Sequence, residues 1–382
     1  MARIFYSMAG EGRGHAARVK TLVEQLVPEH EFWLFAPDDA YEFLAPAWAH
    51  TDLPIHLMRI PGLRFVYRNG RLDLNRTIAC GFKYAAWELP KVARAIRRQI
   101  QAIRPDLAIS DFDPALPRAA RVEGAPLIAF DHQHVLAACN LSALPADLQR
   151  HAWWMNWVVR WCYPGPHDVI ASAFYAPPLK AGWEHVRQVG PMIRSDVATA
   201  RTHDDGYLVS YLRKFTPRSV VEALLSLGRN VRVYGLGAMP TMGGLRFCEI
   251  DEHRFVDDLA GCTAVICAAG NQLLGESVYL GKPVLALPEP LHHEQLINSH
   301  YLRQMGVGDF ATLDAVTPEL LRRFLDCVPA YRAGLEHYRG VWNGTPTAVA
   351  AIRGRLEQIS AGKSSAMPVV VEETTDTRRN AA

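Results

Sequence analysis

The sequence predicts an α/β protein made of two domains, each with a doubly wound parallel sheet. Two series of short apolar runs indicate this, because a stretch with helical periodicity separates each run from the next. The chain has 382 residues, which is enough for two domains of ordinary size. Polar sequence at 195–206 separates the two series and is typical of a linker.

The first series defines a domain that we place at residues 1–192. Its apolar runs, interpreted as strands, cover residues 3–8, 32–36, 107–110, 126–130 and 168–172. Helical periodicity follows the first run at 16–26, and a basic helical stretch from about 85 to 103 precedes the third. Strands that alternate with helices in this way predict a parallel sheet.

The second series defines a domain that we place at residues 193–345. Its predicted strands cover 207–210, 230–234, 246–250, 264–268 and 283–287, with helices at 218–227 and 272–280. We expect a C-terminal helix at 346–361. Residues 362–382 lack a helical period and end in polar residues, so we predict a disordered tail there.

The composition argues against several classes of function. A formal net charge of +2 predicts no nucleic-acid partner. The seven cysteines are scattered without a CxxC pair, which argues against a disulfide framework or a zinc site. No apolar run approaches the ~20 residues needed to span a bilayer, and polar residues come too early for a signal peptide. We therefore expect a cytoplasmic protein.

Two segments of the first domain allow a role at a membrane. Between Arg59 and Arg104 the chain has eleven Lys or Arg residues against two acidic ones. This stretch fits either a solvated helix face or a surface that meets anionic lipid or an anionic acceptor. Residues 152–163 form a Trp-rich helix that we expect in the core, because helices so apolar are usually buried. The alternative is an acceptor groove or a membrane contact.

A glycine-rich turn follows the first predicted strand and contains Gly10, Gly12 and Gly14 before His15. Glycines there let the backbone approach a ligand, and the following helix offers free N–H groups to an anion. His15 is either a structural residue or a general base. The spacing fits neither a dinucleotide fingerprint nor a P-loop.

A histidine base needs an acceptor that orients its second ring nitrogen. Asp111 and Asp113 follow another strand at the same predicted sheet edge, so either carboxylate could reach His15. One of them could instead cap the next helix. His132 follows the next strand, and we place it with the loop glycines on the acceptor side. Its loop shows no close set of metal ligands, so we predict no metal ion.

The most specific segment covers residues 268–298 of the second domain. A strand ends in small residues and Gly270, and the next helix presents its N-terminus to an anion such as a diphosphate. Glu276 lies about one and a half turns into that helix, where we expect it to face a cleft and accept hydrogen bonds from a ribose diol. Glu294 and Gln295, near the next helix start, suit sugar hydroxyls.

These residues resemble the nucleotide-sugar signature of the GT-B glycosyltransferases of families 1 and 28. That group includes the UDP-glucuronosyltransferases, the plant and antibiotic glycosyltransferases, and the N-acetylglucosaminyltransferase that makes lipid II. Their pattern is a Gly turn, a Glu six residues later, GxP, and then Gln and Asn three apart. In this chain the matching residues are Gly270, Glu276, Gly281-Lys-Pro283, Gln295 and Asn298.

Matches outside this segment support the resemblance. The GEGRGH loop at 10–15 resembles the first glycine loop of the family, and residues 190–194 resemble its interdomain stretch. Residues 255–259 resemble the segment whose backbone reads uracil. Together the matches run from residue 10 to 308 in the order the family shows. The chain also resembles a subgroup of uncharacterised bacterial and archaeal members with AGEGRGH and SDF.

The resemblance implies a GT-B fold, with two Rossmann-like domains facing a cleft, and a role for each matching residue. His15 is the implied base, and Asp111 or Asp113 its orienting carboxylate. The implied donor contacts are Gly270 and Asn271 to the diphosphate, Arg194 to a phosphate, the Val256 backbone to the base, Glu276 to the ribose, and Glu294 and Gln295 to the sugar. Ala268 and Glu294 depart from the family. Many members have a phosphate-binding His or Arg in place of Ala268, and Asp or Gln in place of Glu294.

The resemblance implies an inverting, metal-independent transfer of a hexose-type sugar from a nucleotide diphosphate, with no further cofactor. A UDP-sugar is the expected donor and a dTDP-sugar the second choice. The acceptor is lipid-linked or a small molecule. A lipid-linked acceptor fits an enzyme lying on the inner face of the plasma membrane. The alternatives are an enzyme like the non-hydrolysing UDP-N-acetylglucosamine 2-epimerases, which share the fold, and a non-catalytic transferase subunit.

Overall fold

A computed structural model describes residues 1–10, 13–64, 66–68 and 71–365 of the chain. The first domain contains the strands β1 Arg3–Met8, β2 Glu31–Ala36, β3 Ile55–Arg59, β4 Tyr67–Arg68, β5 Arg71–Leu72, β6 Leu107–Asp111, β7 Leu127–Asp131, β8 Asp168–Ser172 and β9 Val186–Val189. Its helices are α1 Gly14–Leu26, α2 Asp38–Trp48, α3 Leu74–Lys83, α4 Leu89–Ile103, α5 Ala115–Glu123, α6 His134–Ala138 and α7 Ala146–Cys162. A π-helical turn, Tyr84–Glu88, joins α3 to α4.

The second domain contains the strands β10 Leu208–Tyr211, β11 Val231–Tyr234, β12 Leu245–Phe247, β13 Ala264–Cys267, β14 Val284–Ala286 and β15 Gly308–Phe310. Its helices are α9 Arg218–Leu225, α10 Glu252–Gly261, α11 Asn271–Tyr279, α12 His293–Gln304, α13 Pro318–Asp326 and α14 Val328–Leu335. The short helix α8 Ser195–Thr199 precedes this domain, and α15 Thr345–Ser365 follows it.

Each domain has one parallel sheet, which confirms the predicted fold class. The first sheet has the order β3-β2-β1-β6-β7-β8-β9, and the second has the order β12-β11-β10-β13-β14-β15. The strand order reverses between β1 and β6 and between β10 and β13. At such reversals the connections leave in opposite directions and open a crevice where ligands bind.

Alternate residues of β1 enter different parts of the core, as the pleat of a strand requires. Ile4 and Tyr6 pack in a cluster that includes Ile352 of α15. Phe5 packs on the other face in a cluster that includes Ile96 of α4. Both faces of the first sheet are therefore covered, which explains why its central strands read as continuous apolar runs.

The predicted strands are all found, with ends that differ by up to three residues. The half-exposed β3, the two-residue strands β4 and β5, and the short β9 and β15 were not predicted, because they are short or only partly buried. The predicted linker at 195–206 begins with α8. The first four residues of the predicted tail belong to α15, and residues 366–382 lie outside the described residues.

The chain crosses between the domains a second time just before α15. The N–H of Gly344 donates to the carbonyl of Pro191 over 2.9 Å, so the two crossings touch. A Cβ on Gly344 would lie 2.1 Å from the carbonyl oxygen of Gly190, so a side chain there would clash with backbone. After this point α15 returns to the first domain and completes its core.

The expectation that the Trp-rich helix is buried is wrong. Helix α7 buries the smaller residues Leu148, Ala152, Val159 and Cys162. Its tryptophans lie on the other side and are 40–65% exposed: Trp153, Trp154, Trp157 and Trp161. The helix is so rich in apolar residues that they cover its outer face as well as its inner one.

The basic stretch folds into helices with two kinds of outer surface. In α4 the apolar residues Leu89, Val92, Ile96 and Ile100 are buried, while Lys91, Arg94, Arg97 and Arg98 are exposed. None of the described side chains of α3 is buried. Leu74, Ile78 and Phe82 recur every four residues along α3 and form an exposed apolar stripe, which Trp87 continues.

Arg118 of α5 interacts with both the end of α7 and the π-helical turn that follows α3. The guanidinium of Arg118 lies 4.2 Å from the ring of Trp161 and close enough to Tyr84 for electrostatic interaction. We name these exposed apolar residues of the first domain, taken together, the apolar patch: Leu74, Ile78, Phe82, Trp87, Trp153, Trp154, Trp157 and Trp161. No helix within the described residues is long and apolar enough to cross a membrane.

Candidate active site

The structure pairs His15 with Asp111, one of its two predicted partners. Asp111 is the last residue of β6, and β6 lies beside β1, whose following loop leads into α1. The Nδ1 atom of His15 lies 2.8 Å from Oδ1 of Asp111. Because a carboxylate only accepts, Nδ1 carries the proton and donates it. In the neutral ring the other nitrogen, Nε2, then carries no proton and can accept one.

Arg18 is a third member of this group, which the sequence analysis missed. Its Nε donates to Oδ2 of Asp111 over 2.7 Å, and its Nη2 to Oδ1 over 3.1 Å. Burial acts to lower the pKa of Arg18, but the Asp111 carboxylate outweighs it and raises the pKa above its ordinary value. Its spacing could have indicated this role, since Arg18 follows His15 by three residues and lies on the same helix face.

Asp113 caps the next helix, which was the alternative considered for one of the two carboxylates. Its Oδ2 accepts the N–H groups of Ala115 and Leu116, at the start of α5, over 3.1 and 3.2 Å. Burial raises the pKa of Asp113 to about 6, although these hydrogen bonds oppose the rise. No contact between Asp113 and His15 is found among the described residues.

Two glycines of the first loop, Gly10 and Gly14, differ in their surroundings. A Cβ on Gly10 would lie 2.9 Å from the ring of Pro37, so close packing already requires glycine there. A Cβ on Gly14 would meet nothing within 4 Å, which leaves room beside the start of α1. Gly12 lies outside the described residues.

His132 is buried, and both of its ring nitrogens have partners. Nδ1 lies 3.1 Å from the carbonyl of Ser172, and Nε2 lies 3.2 Å from Oδ1 of Asn298 in the second domain. Burial lowers its pKa. His132 therefore lies between the two domains, and as a neutral ring it can donate to only one of these two acceptor oxygens. No group of three His, Cys, Asp or Glu side chains that could hold a metal ion occurs within the described part of the chain.

The start of α11 opens to solvent at the cleft. Gly270 precedes its first residue and is exposed, and a Cβ there would meet nothing within 4 Å. The side chain of Asn271 points the other way, where its Oδ1 accepts the N–H of Phe174 over 3.2 Å. The helix N-terminus is therefore available to an anion, while Asn271 holds the two domains together.

The expectation that Glu276 faces an open cleft is wrong, because it is only 2% exposed. Its two carboxylate oxygens accept from Nε and Nη2 of Arg194 over 2.8 and 2.9 Å. Gln272 adds a third hydrogen bond of 2.9 Å. Two predicted donor contacts are thus partners of each other, and Arg194 fixes the orientation of the carboxylate.

Glu294 faces the catalytic side of the first domain. Its Oε2 accepts from Nε2 of Gln133 over 3.3 Å. Burial acts to raise the pKa of Glu294, but nearby basic side chains outweigh it and the pKa is lowered. Those groups are His132, His292, His15 and Arg18. The arrangement brings a carboxylate of the second domain to the same space as the His15–Asp111 pair.

Gln133 is a further residue that the sequence analysis did not single out. Its side chain is buried, and its Oε1 has no hydrogen-bond partner among the described residues. Gln295 is also buried, and its Oε1 accepts the N–H of Glu289 over 2.8 Å. Gln295 therefore stabilises the loop before α12 through its hydrogen bond with the backbone of Glu289.

Val256 lies in the second turn of α10 and is buried. In that position the N–H of a helical residue is bonded to the carbonyl four residues earlier. The predicted backbone contact between Val256 and a base is therefore not supported by this geometry. Asp251 caps α10 through the N–H of Arg254, so the exposed end of the helix lies about one turn earlier.

A small cavity lies at the end of the second sheet, beside the strand-order reversal. Arg213, Thr216, Ala268 and Glu289 contribute to its wall. Arg213 follows β10, and its Nη1 lies 3.1 Å from Oε2 of Glu289. Ala268 follows β13. A cation therefore lies on the strand end next to Ala268, outside the linear motif.

Two histidines stack where α7 meets α12 of the second domain. The rings of His151 and His293 are parallel within 7°, with centroids 3.9 Å apart. Burial and the charge of His293 lower the pKa of His151 to about 4, and burial also lowers the pKa of His293. The stack is therefore neutral near pH 7.

Comparisons with known proteins point to one family. The model of the family described as Glycosyl transferase family 1 matches residues 2–329. An uncharacterized glycosyltransferase of Methanosarcina acetivorans is 26% identical over 339 residues, which cover 80% of this chain and 82% of that protein.

Solved structures of the same fold cover nearly the whole chain. MurG of Acinetobacter baumannii has a TM-score of 0.60 and 16% identity, covering 93% of this chain and 100% of MurG. UGT89C1 of Arabidopsis thaliana, solved with UDP-L-rhamnose, has a TM-score of 0.66 and 11% identity, covering 94% and 99%. At such identities the likeness shows the fold alone, and that fold is GT-B.

The neutral histidine stack predicts a loss of stability on acidification. Because the folded pKa of His151 is about 4, below its ordinary value of 6.5, the folded state binds fewer protons in that interval. Stability should therefore fall as the pH drops from about 6.5 towards 4. The variant H151F keeps a flat ring but cannot be protonated. Its melting temperature should fall less over this interval than that of the wild type, by about 2 °C or more.

Melting curves at several pH values would test this, with H337F as a control at an exposed histidine. Other titratable side chains face the stack, namely His292, Glu294 and Asp147. They are unchanged in H151F, so their effect cancels in the comparison. Equal pH dependence in H151F and the wild type would contradict the prediction.

Proposed function

This chain belongs to glycosyl transferase family 1, and from that premise we propose that it moves a sugar from a UDP-sugar to an acceptor hydroxyl. We propose further that the transfer inverts the anomeric configuration and needs no metal ion or other cofactor. The observation that carries the proposal is the pairing of His15 with a buried Asp111, opposite the free N-terminus of α11 and Glu294.

In the proposed reaction the acceptor oxygen attacks the anomeric carbon of the donor in line with the leaving group. The bond between that carbon and the diphosphate oxygen breaks, and its electron pair stays on the diphosphate. The hydroxyl proton passes to Nε2 of His15, while Asp111 stabilises the imidazolium that forms. The products are the glycoside with inverted configuration and UDP, and His15 then returns its proton to solvent.

The donor contacts follow from the residues around α11 and α12. The N-terminus of α11 beside Gly270 suits the diphosphate, and Glu294 and Gln295 suit the sugar hydroxyls. Glu276 suits the ribose only if Arg194, which already holds both carboxylate oxygens, serves to orient it. UDP is the nucleotide that we propose, and the Arabidopsis structure of the same fold was solved with UDP-L-rhamnose.

Arg213 is the cation that we assign to the diphosphate. It follows β10 and lines the same small cavity as Ala268, whose side chain carries no charge. Side chains of the first domain also reach it, since its guanidinium lies 5.5 Å from the ring of Tyr67. A bound diphosphate would compete with Glu289 for Arg213 and would be held where the two domains meet.

The apolar patch suggests where the acceptor comes from. Aromatic side chains favour the interface between water and lipid, and the neighbouring cations of α4 suit anionic headgroups. Both features belong to the first domain, which carries His15. We therefore propose that the enzyme lies on an anionic membrane surface and takes a lipid-linked acceptor.

The H15A variant tests the proposed base. Removal of a positioned base should lower kcat by roughly 10²- to 10⁴-fold. The affinity for UDP should hardly change, because His15 belongs to the other domain. Thermal-shift screening of UDP- and dTDP-sugars would select the donor, and mass spectrometry with cell lipid extract and small-molecule acceptors would give the rate. H56A, at an exposed histidine of β3, is the control. Near wild-type turnover in H15A would remove His15 from the mechanism.

The R213A variant tests the proposed phosphate contact. Loss of charge-assisted hydrogen bonds should weaken UDP binding by roughly 10- to 100-fold, at about 1.5–3 kcal/mol. Uridine has no phosphate, so its affinity should not change. Calorimetry would compare the two ligands, with R218A on the exposed face of α9 as control. In the R213A background, A268R should restore part of the affinity for UDP. Equal effects on UDP and uridine, or no effect on either, would contradict the assignment.

Vesicle co-sedimentation tests the membrane proposal. The protein should bind vesicles that contain anionic lipid, and binding should fall as salt rises, because exposed charges are screened over ~8 Å at physiological ionic strength. The double variant F82S/W154S should bind less, since both side chains belong to the apolar patch. V341S removes an exposed apolar residue from outside the first domain and should not matter. Absence of binding at low salt would favour a small-molecule acceptor.

A further inference from the structure

The hydroxyl of Tyr163 touches the backbone on both sides of Asp111. It accepts the N–H of Phe112, the residue after Asp111. It also lies 3.2 Å from the carbonyl of Ser110, the residue before, and its one proton can go either to that carbonyl or to the carboxylate of Asp131. Tyr163 is buried, and burial raises its pKa well above the ordinary value, so the hydroxyl keeps its proton.

The backbone at this point needs such support. Phe112 has a φ of 56°, in the left-handed region that is costly for a residue with a large side chain. Asp111 is therefore followed by a strained peptide whose N–H points to Tyr163 and not along the sheet. On the other side, the N–H of Ala9 donates to the carbonyl of Asp111 over 2.8 Å.

Tyr163 itself is firmly placed, because it follows the last residue of α7. Its N–H donates to the carbonyl of Val159 over 3.1 Å, and its ring packs on His134 with centroids 4.9 Å apart. One residue before the end of α7, the carbonyl of Trp161 accepts from Nη2 of Arg118 in α5 over 2.8 Å. The end of α7 is thus joined to the two elements that flank Asp113.

We propose that Tyr163 is a positioning residue for the His15–Asp111 pair. Its hydroxyl holds the strained peptide at Phe112, and this directs the Asp111 carboxylate to Nδ1 of His15. The inference rests on the proposed function, because it requires His15 to be the base. It adds that the helix carrying four exposed tryptophans ends in direct contact with the backbone of the catalytic carboxylate.

The variant Y163F removes only the hydroxyl and keeps the ring. A misplacement of about 1 Å in a catalytic group can cost about 100-fold, so we expect kcat to fall by about 10- to 100-fold. The KM for the donor should stay close to that of Y84F, whereas the melting temperature should be lower by a few degrees, because the N–H of Phe112 loses its partner. Tyr84 is the matched control, because its buried hydroxyl has no hydrogen-bond partner among the described residues. The assay is UDP release from the selected UDP-sugar, without vesicles and well below both melting temperatures.

A double variant distinguishes a positioning role of Tyr163 from a general structural effect of its substitution. If Tyr163 acts through His15, adding Y163F to H15A should leave the residual rate unchanged, because groups that act as a unit are not additive. A further drop in the double variant, a raised donor KM, or a kcat equal to that of Y84F would overturn the proposal.

Hydrogen exchange gives a test that needs no substrate. The amide of Phe112 should exchange faster in Y163F than in the wild type, and it should be unchanged in Y84F. Unchanged exchange in Y163F would overturn the proposal even in an active enzyme. If the wild type releases no UDP from any UDP-sugar, the proposed function fails, whereas the exchange result still reports on the contact between Tyr163 and Phe112.

Discussion

The buried Asp111 carboxylate holds together parts of the first domain that are far apart in the sequence. His15 and Arg18 of α1 meet at its two oxygens, and Tyr163 supports the backbone on either side. A charge buried this deeply is stable only when its partners are all in place, since each unpaired buried ion costs several kcal/mol. The orientation of His15, the turn at Phe112 and the end of α7 are therefore linked through one side chain.

Much of this arrangement could be predicted from the sequence, because parallel strands impose it. Apolar runs located the central strands, and the carboxyl ends of neighbouring strands must meet at one edge. That constraint alone brought Asp111 within reach of His15. It could not separate Asp111 from Asp113, because the choice depends on which of them reaches the N–H groups of α5.

The features that were missed depend on contacts between segments distant in the chain. Glu276 is buried because Arg194, in the crossing between domains, reaches it, and the motif around Glu276 contains no sign of that partner. The tryptophans of α7 were predicted to be buried but are exposed. The number of apolar residues in a helix does not show which of its faces packs against the domain. Arg213 was overlooked because it lies outside the motif, on the strand end next to Ala268.

The return of α15 to the first domain affects how the protein emerges from the ribosome. Ile352 and Leu356 pack in the core beside β1. That core therefore stays incomplete until almost the entire chain has been synthesised. At about 5–20 residues per second, synthesis of the segment between β9 and Leu356 takes roughly 10–30 s. The first domain therefore cannot finish folding in the order of its synthesis. The nascent chain must hold an exposed apolar surface through the translation of the second domain, which makes it a natural substrate for chaperones.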